Sequence, residues 1–334
     1  MHGACDGVHS CLDVVGPTGK ADFVQTPSIP EQIAAARTGA LVVPRTSLTV
    51  LQVTGSDRQS WLNGLVTCEL AKQIAGDAVY GLAVEKKGKV MADLLIVLGA
   101  EHALVAVDRG AVAAVVDTFE HHLVMEDAEL RHDPDAFVAF EVHGPHSKAV
   151  LEAARGADGI GGLLDRTGLG GAVVIAKAAS RDAVTAAMVS AGGTLGDEAA
   201  WEVLRIERSV PRFGADFDAT TYPQEAHLEK SAISFSKGCY LGQEVVCMLE
   251  LRGHVKRKLA TLHVEGALPA PAHGAEVLDQ DGKSIGAITS AAFSPTTNSV
   301  RALGMLKVAH CVVGTKLSLG ASAGTSVTVV EPAV

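Results

Sequence analysis

The feature that most constrains this chain is a change of texture near residue 258. Upstream, strand-like runs alternate with segments of helical period; downstream, only short strands punctuated by turns remain. The downstream turns fall at 269–274, 281–282, 294–295 and Gly314, a spacing that predicts a small antiparallel barrel or sandwich over 258–334. The interleaved strands and helices upstream predict open α+β sheets layered by helices. With 334 residues, the chain has room for two or three such units.

Residues 1–30 mix Gly, Pro, Asp and Thr without periodicity and read as a loose extension. An N-terminal α+β domain is expected over 31–135. It opens with a helix at 31–39 and a strand at 47–54. A helix follows behind a Ser56 or Asp57 cap, with Trp61, Leu62 and Leu65 on one face. Strands at 78–84 and 90–99 flank a turn at 86–89, and a strand at 103–107 leads to a helix at 111–122. A second α+β domain, 136–257, carries a strand at 137–142, a helix at 147–154 and a Gly-rich loop at 156–171. A strand at 172–176 and helices at 181–191 and 197–209 complete it.

Composition removes several classes of function. The formal net charge is −10, so the chain lacks the broad basic face that displaces counterions, and broad nucleic-acid binding is not expected. No apolar run approaches the roughly 18–20 residues of a membrane-spanning helix, so no membrane partner is expected either. The N-terminus has no cationic start before an apolar stretch, and Asp6, Asp13, Asp22 and Glu31 all precede Arg37, the first arginine. Neither a secretory signal nor a mitochondrial presequence is indicated, and a cytoplasmic protein is the simplest reading. The six cysteines, at 5, 11, 68, 239, 247 and 311, form no C-x-x-C pair. They read as free thiols with no metal site.

Two motif matches fail on context. Gly282-Lys283-Ser284-Ile285-Gly286 fits G-x-S-x-G, but strands on both sides make Asp281-Gly282 a hairpin turn rather than a nucleophile elbow. His143 and His146, beside a Gly-Pro turn, read as surface or helix-start histidines. One segment survives: Ser236-Lys237-Gly238-Cys239-Tyr240-Leu241-Gly242-Gln243-Glu244. Gly238 and Gly242 bracket the cysteine and supply left-handed backbone or room for close approach. A short helix from Gln243 would put Cys239 near a helix N-terminus, where the dipole favours a thiolate. Lys237 adds a cation that pushes the thiol the same way. Elsewhere, Asp93 interrupts an apolar strand and is costly to bury without a partner, which favours a pocket role. Glu225, after Pro223, suits either a pterin edge or a helix start.

Lys237–Glu244 resembles the K-G-C-[FY]-x-G-Q-E signature of the folate-binding YgfZ-type proteins, relatives of the glycine-cleavage T-protein aminomethyltransferases. Leu204-Arg205-Ile206-Glu207, Pro211-Arg212-Phe213-Gly214-Ala215-Asp216 and Pro223-Gln224-Glu225-Ala226 follow the family's spacing upstream. Arg252-Gly253-His254 follows it downstream, and Gly286-Ala287-Ile288-Thr289-Ser290 resembles the shared barrel. The resemblance implies a three-domain ring with a central folate channel and a C-terminal β-barrel. It also implies tetrahydrofolate or a derivative as cofactor, and iron–sulfur client or assembly proteins as partners. Cys239 and Lys237 would be the working pair, and Asp93, Glu225, Gly238, Tyr240, Gln243, Glu244 and Arg252 would hold the folate. Cys247 stands where that family commonly has arginine. The T-G-E-x-G hairpin of the aminomethyltransferases has no counterpart between 168 and 202, which favours the YgfZ branch. A folate-dependent aminomethyltransferase or demethylase, and a non-catalytic folate-binding scaffold in which Cys239 only shapes a turn, stay open.

Overall fold

The computed structural model describes residues 27–266, 269–320 and 325–333; the first 26 residues of the expected extension, with Cys5 and Cys11, lie outside them. Two five-stranded sheets lie face to face. The first runs Ala78–Val84, Val90–Leu98, His102–Asp108, Leu48–Thr54, Glu129–His132, antiparallel throughout. The second runs Gly193–Leu195, Ala40–Pro44, Phe137–His143, Gly171–Lys177, Ile160–Leu163, with its one parallel pair at the Gly193–Leu195 edge. Val50, Leu82 and Leu104 of the first sheet meet Ala139, Val173 and Ile175 of the second in a shared apolar layer. Helices Arg58–Asn63 and Val112–His121 cover the outer face of the first sheet through Trp61, Leu62, Val115 and Phe119. Helices Ser147–Arg155 and Arg181–Ser190 cover that of the second through Val150, Leu151, Val184 and Met188.

The segment expected as one N-terminal domain, 31–135, contributes to both sheets. Strand Ala40–Pro44 pairs with Phe137–His143, and helix Ile29–Thr38 packs over it. This strand escapes a periodicity reading because it is buried on both faces, Leu41 and Val43 towards helices and Ala40 and Val42 towards the opposite core. It therefore reads as a plain apolar run. The Gly-rich loop expected at 156–171 holds strand Ile160–Leu163. Its glycines are required by close approach: a Cβ on Gly162 would collide with the Asp77–Ala78 backbone of the first sheet, and one on Gly161 with the Val173 carbonyl.

The C-terminal strands close into a six-stranded antiparallel barrel around Leu262, Val277, Ile288, Val300, Leu306 and Val327. The turn at Asp281-Gly282 joins Glu276–Leu278 to Ser284–Ser294, so the G-x-S-x-G match is a hairpin. Arg205, fully buried in helix Glu198–Glu207, ties the barrel on. Its guanidinium donates to Asp216 at 2.7 Å and to Ser290 Oγ at 2.7 Å, while Thr289 Oγ1 donates to the other Asp216 oxygen at 2.6 Å. The pairing of the barrel strand shifts between Ile288 and Ser290, and at a bulge successive residues can present side chains to the same side. Among the described residues no helix is long and apolar enough to cross a membrane.

Arg205→Met would leave Asp216 charged, buried and without its cation. Breaking such a pair costs about 3–5 kcal/mol. Urea unfolding followed by circular dichroism measures it, and a loss under about 1 kcal/mol would contradict this role.

Candidate functional site

The Cys239 loop is stitched to the segment after helix Arg58–Asn63. Ser234 N donates to Thr67 O at 2.9 Å, Thr67 Oγ1 to Ala232 O at 2.7 Å, and Leu241 N to Gly64 O at 3.0 Å. Lys237 is buried, and its ammonium donates to the carbonyls of Asn63 at 2.7 Å, Val66 at 2.8 Å and Cys68 at 2.5 Å. Burial pulls this ammonium down to about 8, with Cys68 and Glu69 acting the other way. Lys237 was expected beside the working thiol; its ammonium instead anchors the loop from below. The Tyr240 ring is also buried, 5.3 Å from the ammonium, with its hydroxyl unpartnered.

Cys239 itself is exposed. Helix Gln243–Arg252 begins beyond it at Gly242, whose φ of 77° and closeness to the Glu85 carbonyl exclude a side chain. Gly238 differs from its expectation: it has no left-handed backbone, and nothing lies within 4 Å of where a Cβ would be. Gln243 Nε2 reaches back to Gly238 O at 3.4 Å, whereas Glu244 and Arg252 are exposed on the helix. Glu225 adopts the helix-start role. Its carboxylate accepts from Tyr222 N at 2.9 Å, caps the short turn Pro223–Glu225 and pairs with Arg257 Nε at 3.0 Å.

Asp93 lies elsewhere, between the sheets. It shares a strand face with Leu95 and Val97, which point into the shared apolar layer. Tyr80 Oη donates to Asp93 Oδ2 at 3.2 Å, and Arg166 Nη2 stands 3.8 Å from the same oxygen. Burial, with Asp93 adding to it, pushes the Tyr80 phenol well above its ordinary range. The second sheet answers with Glu141, fully enclosed, which pairs with Arg45 and accepts from Arg166 Nη1 at 3.1 Å. Helix Glu198–Glu207 closes the site with Trp201, whose ring lies 5.3 Å from Arg45 and 5.8 Å from Arg166. Arg45, Asp93, Arg166 and Trp201, with Arg212 and Phe213, wall a cavity that leaves about 20 Å³ for the centre of a water molecule. Among the described residues, no hydrogen bond or ion pair joins this cavity to the Cys239 loop.

Of this cluster the sequence marks Asp93 alone; Tyr80, Glu141, Arg45, Arg166 and Trp201 carry no expectation there. Glu141 carried the same signal as Asp93, an acid inside an otherwise apolar strand, FVAFEVH. His143 is corrected outright. It is buried, stacked on Trp201 at 4.5 Å and 4°, and neither ring nitrogen has a partner. His146 does stand exposed at a helix start.

Burial, then the Arg45 and Arg166 charges, push His143 down to about 3. An unfolded imidazole titrates near 6.5, so between about 6.5 and 3 the unfolded chain binds a proton that the folded one refuses. The stability contributed by a neutral His143 is whole above that window and is lost as pH falls through it. His143→Phe keeps a ring on Trp201 and removes the titration, so the midpoint of acid unfolding should move to lower pH. An unchanged midpoint would contradict this account.

Residues 20–159 match the GCVT N-terminal domain, and residues 257–333 match the glycine cleavage T-protein C-terminal barrel domain. An aminomethyltransferase of Thermotoga neapolitana is 29% identical over 310 residues, covering 85% of this chain and 83% of that one. The tRNA-modifying protein YgfZ of Vibrio vulnificus is 26% identical over 231 residues, covering 67% and 70%. The crystal structure of glycine cleavage system aminomethyltransferase T from Bartonella henselae superposes with a TM-score of 0.79 at 19% identity, covering 92% and 90%. The chain belongs to the GcvT-like family and has the aminomethyltransferase fold with its closed C-terminal barrel.

Proposed function

We propose that this protein binds a reduced folate, tetrahydrofolate or a derivative, and supports assembly or repair of iron–sulfur clusters in client proteins through Cys239. The observation that carries the reading is the presentation of Cys239. The thiol is exposed on a loop whose neighbouring side chains, Lys237 and Tyr240, are buried beneath it. A thiol held outward on a rigid base suits reaction with a partner protein more than with a ligand enclosed between the sheets. Asp93 suits the polar edge of a pterin, because a carboxylate can accept two N–H bonds from such a ring, and Leu48, Leu95, Ala106 and Phe213 give it apolar walls. Entry of a whole ring requires the mouth at Arg212 and Phe213 to open. A reduced folate carries one-carbon units on a ring nitrogen and the neighbouring bridging amine; what the chain contributes is an acid to orient the ring and apolar walls to exclude water. Gly238 leaves open space beside Cys239 for an incoming group.

A second reading, a folate-dependent aminomethyltransferase, is favoured by relatives of that name that align along most of the chain. Transfer of a methylene group from an aminated donor to tetrahydrofolate would select it over the first.

A thermal-shift titration with tetrahydrofolate should raise the melting temperature with concentration, as a ligand specific for the native state does. Cys239→Ser should fold and bind folate like the parent chain, yet fail to restore iron–sulfur enzymes in cells lacking the native protein. Full restoration by the serine variant would make the residue structural.

A further inference from the structure

Helix Gln243–Arg252 is apolar on nearly every side, with Val245, Val246, Cys247, Met248, Leu249 and Leu251 among its ten residues. Such a helix belongs in a core, yet here only Val246 is buried. Val245 and Val246 turn towards Gly88, and Gln243 reaches back to Gly238 O at 3.4 Å, so these contacts fix the inner side of the helix and one flank. Glu244, Met248 and Leu251, spaced four and three apart, share the outer face. Met248 is 57% exposed there and Leu251 79%. Beside the start of the helix, the Cys239 loop adds Phe235, 42% exposed and the only exposed aromatic residue among the described ones. On the far flank, the turn at Gly88 presents Lys86 and Lys87, both exposed. Among the described residues, Lys72 and Lys258 are the only lysines paired with an acid, so neither cation of this turn is compensated within the chain.

We propose that this face docks the protein that Cys239 serves, and that the partner meets it with an apolar patch bordered by carboxylates. The inference rests on the reading of Cys239 given above. Protein contacts place an apolar centre inside a charged rim, and Met248, Leu251 and Phe235 beside Lys86 and Lys87 have that arrangement. The two lysines supply the charge complement, steering an acidic rim onto the face and fixing its orientation. Glu244, at the Cys239 end of the face, repels acids there. The partner's carboxylates therefore belong on the lysine flank and its reacting group over the thiol. A methionine adapts to differently shaped apolar surfaces, which suits a face shared by several clients. A symmetric contact with a second copy would crowd both pairs of lysines into one interface. A lipid surface fits poorly too, because Glu244 and Glu250 are exposed on the helix.

The test uses the full chain in cells lacking the native protein. A photo-reactive p-benzoylphenylalanine replaces Leu251, or, as a control elsewhere on the surface, the exposed Val312 of the barrel. Irradiation at position 251 should join the chain to an iron–sulfur protein identified by mass spectrometry, and position 312 should not. Adding Lys86→Glu with Lys87→Glu should cut the yield about tenfold, and Lys86→Gln with Lys87→Gln should fall between. Met248→Glu with Leu251→Glu should abolish restoration of iron–sulfur enzymes, while the melting temperature, the tetrahydrofolate shift and the rate of Cys239 alkylation stay those of the parent chain. Adducts only of twice the chain's mass, only with lipid, or equal at the two positions overturn the docking face. Full restoration by the Met248→Glu, Leu251→Glu chain overturns it as well, and failure of Cys239→Ser in the same cells would then leave the reading of the thiol standing. The converse, loss with the two glutamates but full restoration by Cys239→Ser, keeps the face and removes the thiol's role.

Discussion

Helix Glu198–Glu207 sets the geometry of both ends of the molecule, and the buried Arg205–Asp216 pair fixes its place. Glu198, Trp201, Glu202 and Arg205 are spaced three and four apart, so they stand on one helix face. Trp201 and Glu198 reach the cavity between the sheets, while Arg205 reaches Asp216 and, beyond it, the bulged barrel strand. A buried ion pair adds little net stability against an apolar replacement of the same shape, but it tolerates few alternative geometries. A slip of the helix by one residue would strand Arg205 in an apolar core and withdraw Trp201 from Arg45. The barrel, the second sheet and the cavity wall therefore share one register.

The two sheets divide the cavity chemistry between them. The first brings Asp93 and its Tyr80 hydrogen bond; the second brings Glu141 with Arg45 and Arg166. Neither sheet alone could bury its charges. Arg166, in the loop before strand Gly171–Lys177, spans the gap by meeting Glu141 on one side, approaching Asp93 on the other and lying 4.3 Å from the Tyr80 ring. The Cys239 loop solves the opposite problem, exposing one side chain while holding the backbone still. Three carbonyls around the Lys237 ammonium do this from beneath, because a buried cation with three acceptors leaves the loop little freedom.

Most elements were legible because turns bound them, even where, as in Val90–Leu98, both faces are buried. The strands at Ala78–Val84 and Val90–Leu98, the helices at Val112–His121 and Gln243–Arg252, and the barrel turns all follow from period and punctuation. What failed was backbone that touches backbone. Gly161 and Gly162 read as loop because the reason for glycine, the neighbouring sheet at Asp77–Ala78, is invisible along the chain. In the candidate site, Asp93 was legible as an acid too costly to bury idly. Lys237 was legible as a special residue but not in its direction, since nothing in K-G-C says whether the lysine rises towards the thiol or turns under the loop. Glu225 offered two roles of equal standing, and in the fold its carboxylate makes the helix-start bond, accepting from Tyr222 N. His143 was misread because its partner, Trp201, lies far along the sequence.

One hairpin serves both places. Strand Val90–Leu98 carries Asp93 into the cavity, and the turn that precedes it, Lys86-Lys87-Gly88-Lys89, packs against the helix that follows Cys239. Gly88 sits against Val245 and Val246 at φ 74°, and Gly242 sits against Glu85. Gly242 meets backbone and Gly88 meets valine side chains, and the positive φ at both disfavours any larger residue. Only three residues separate the turn from Asp93, and strand pairing with Ala78–Val84 makes that stretch stiff. The thiol loop thus has two supports: the Lys237 carbonyl cage on one side and the tip of the Asp93 hairpin on the other. A ligand enclosed at Asp93 and a protein meeting Cys239 would approach from different directions without competing for space, yet would bear on the same hairpin.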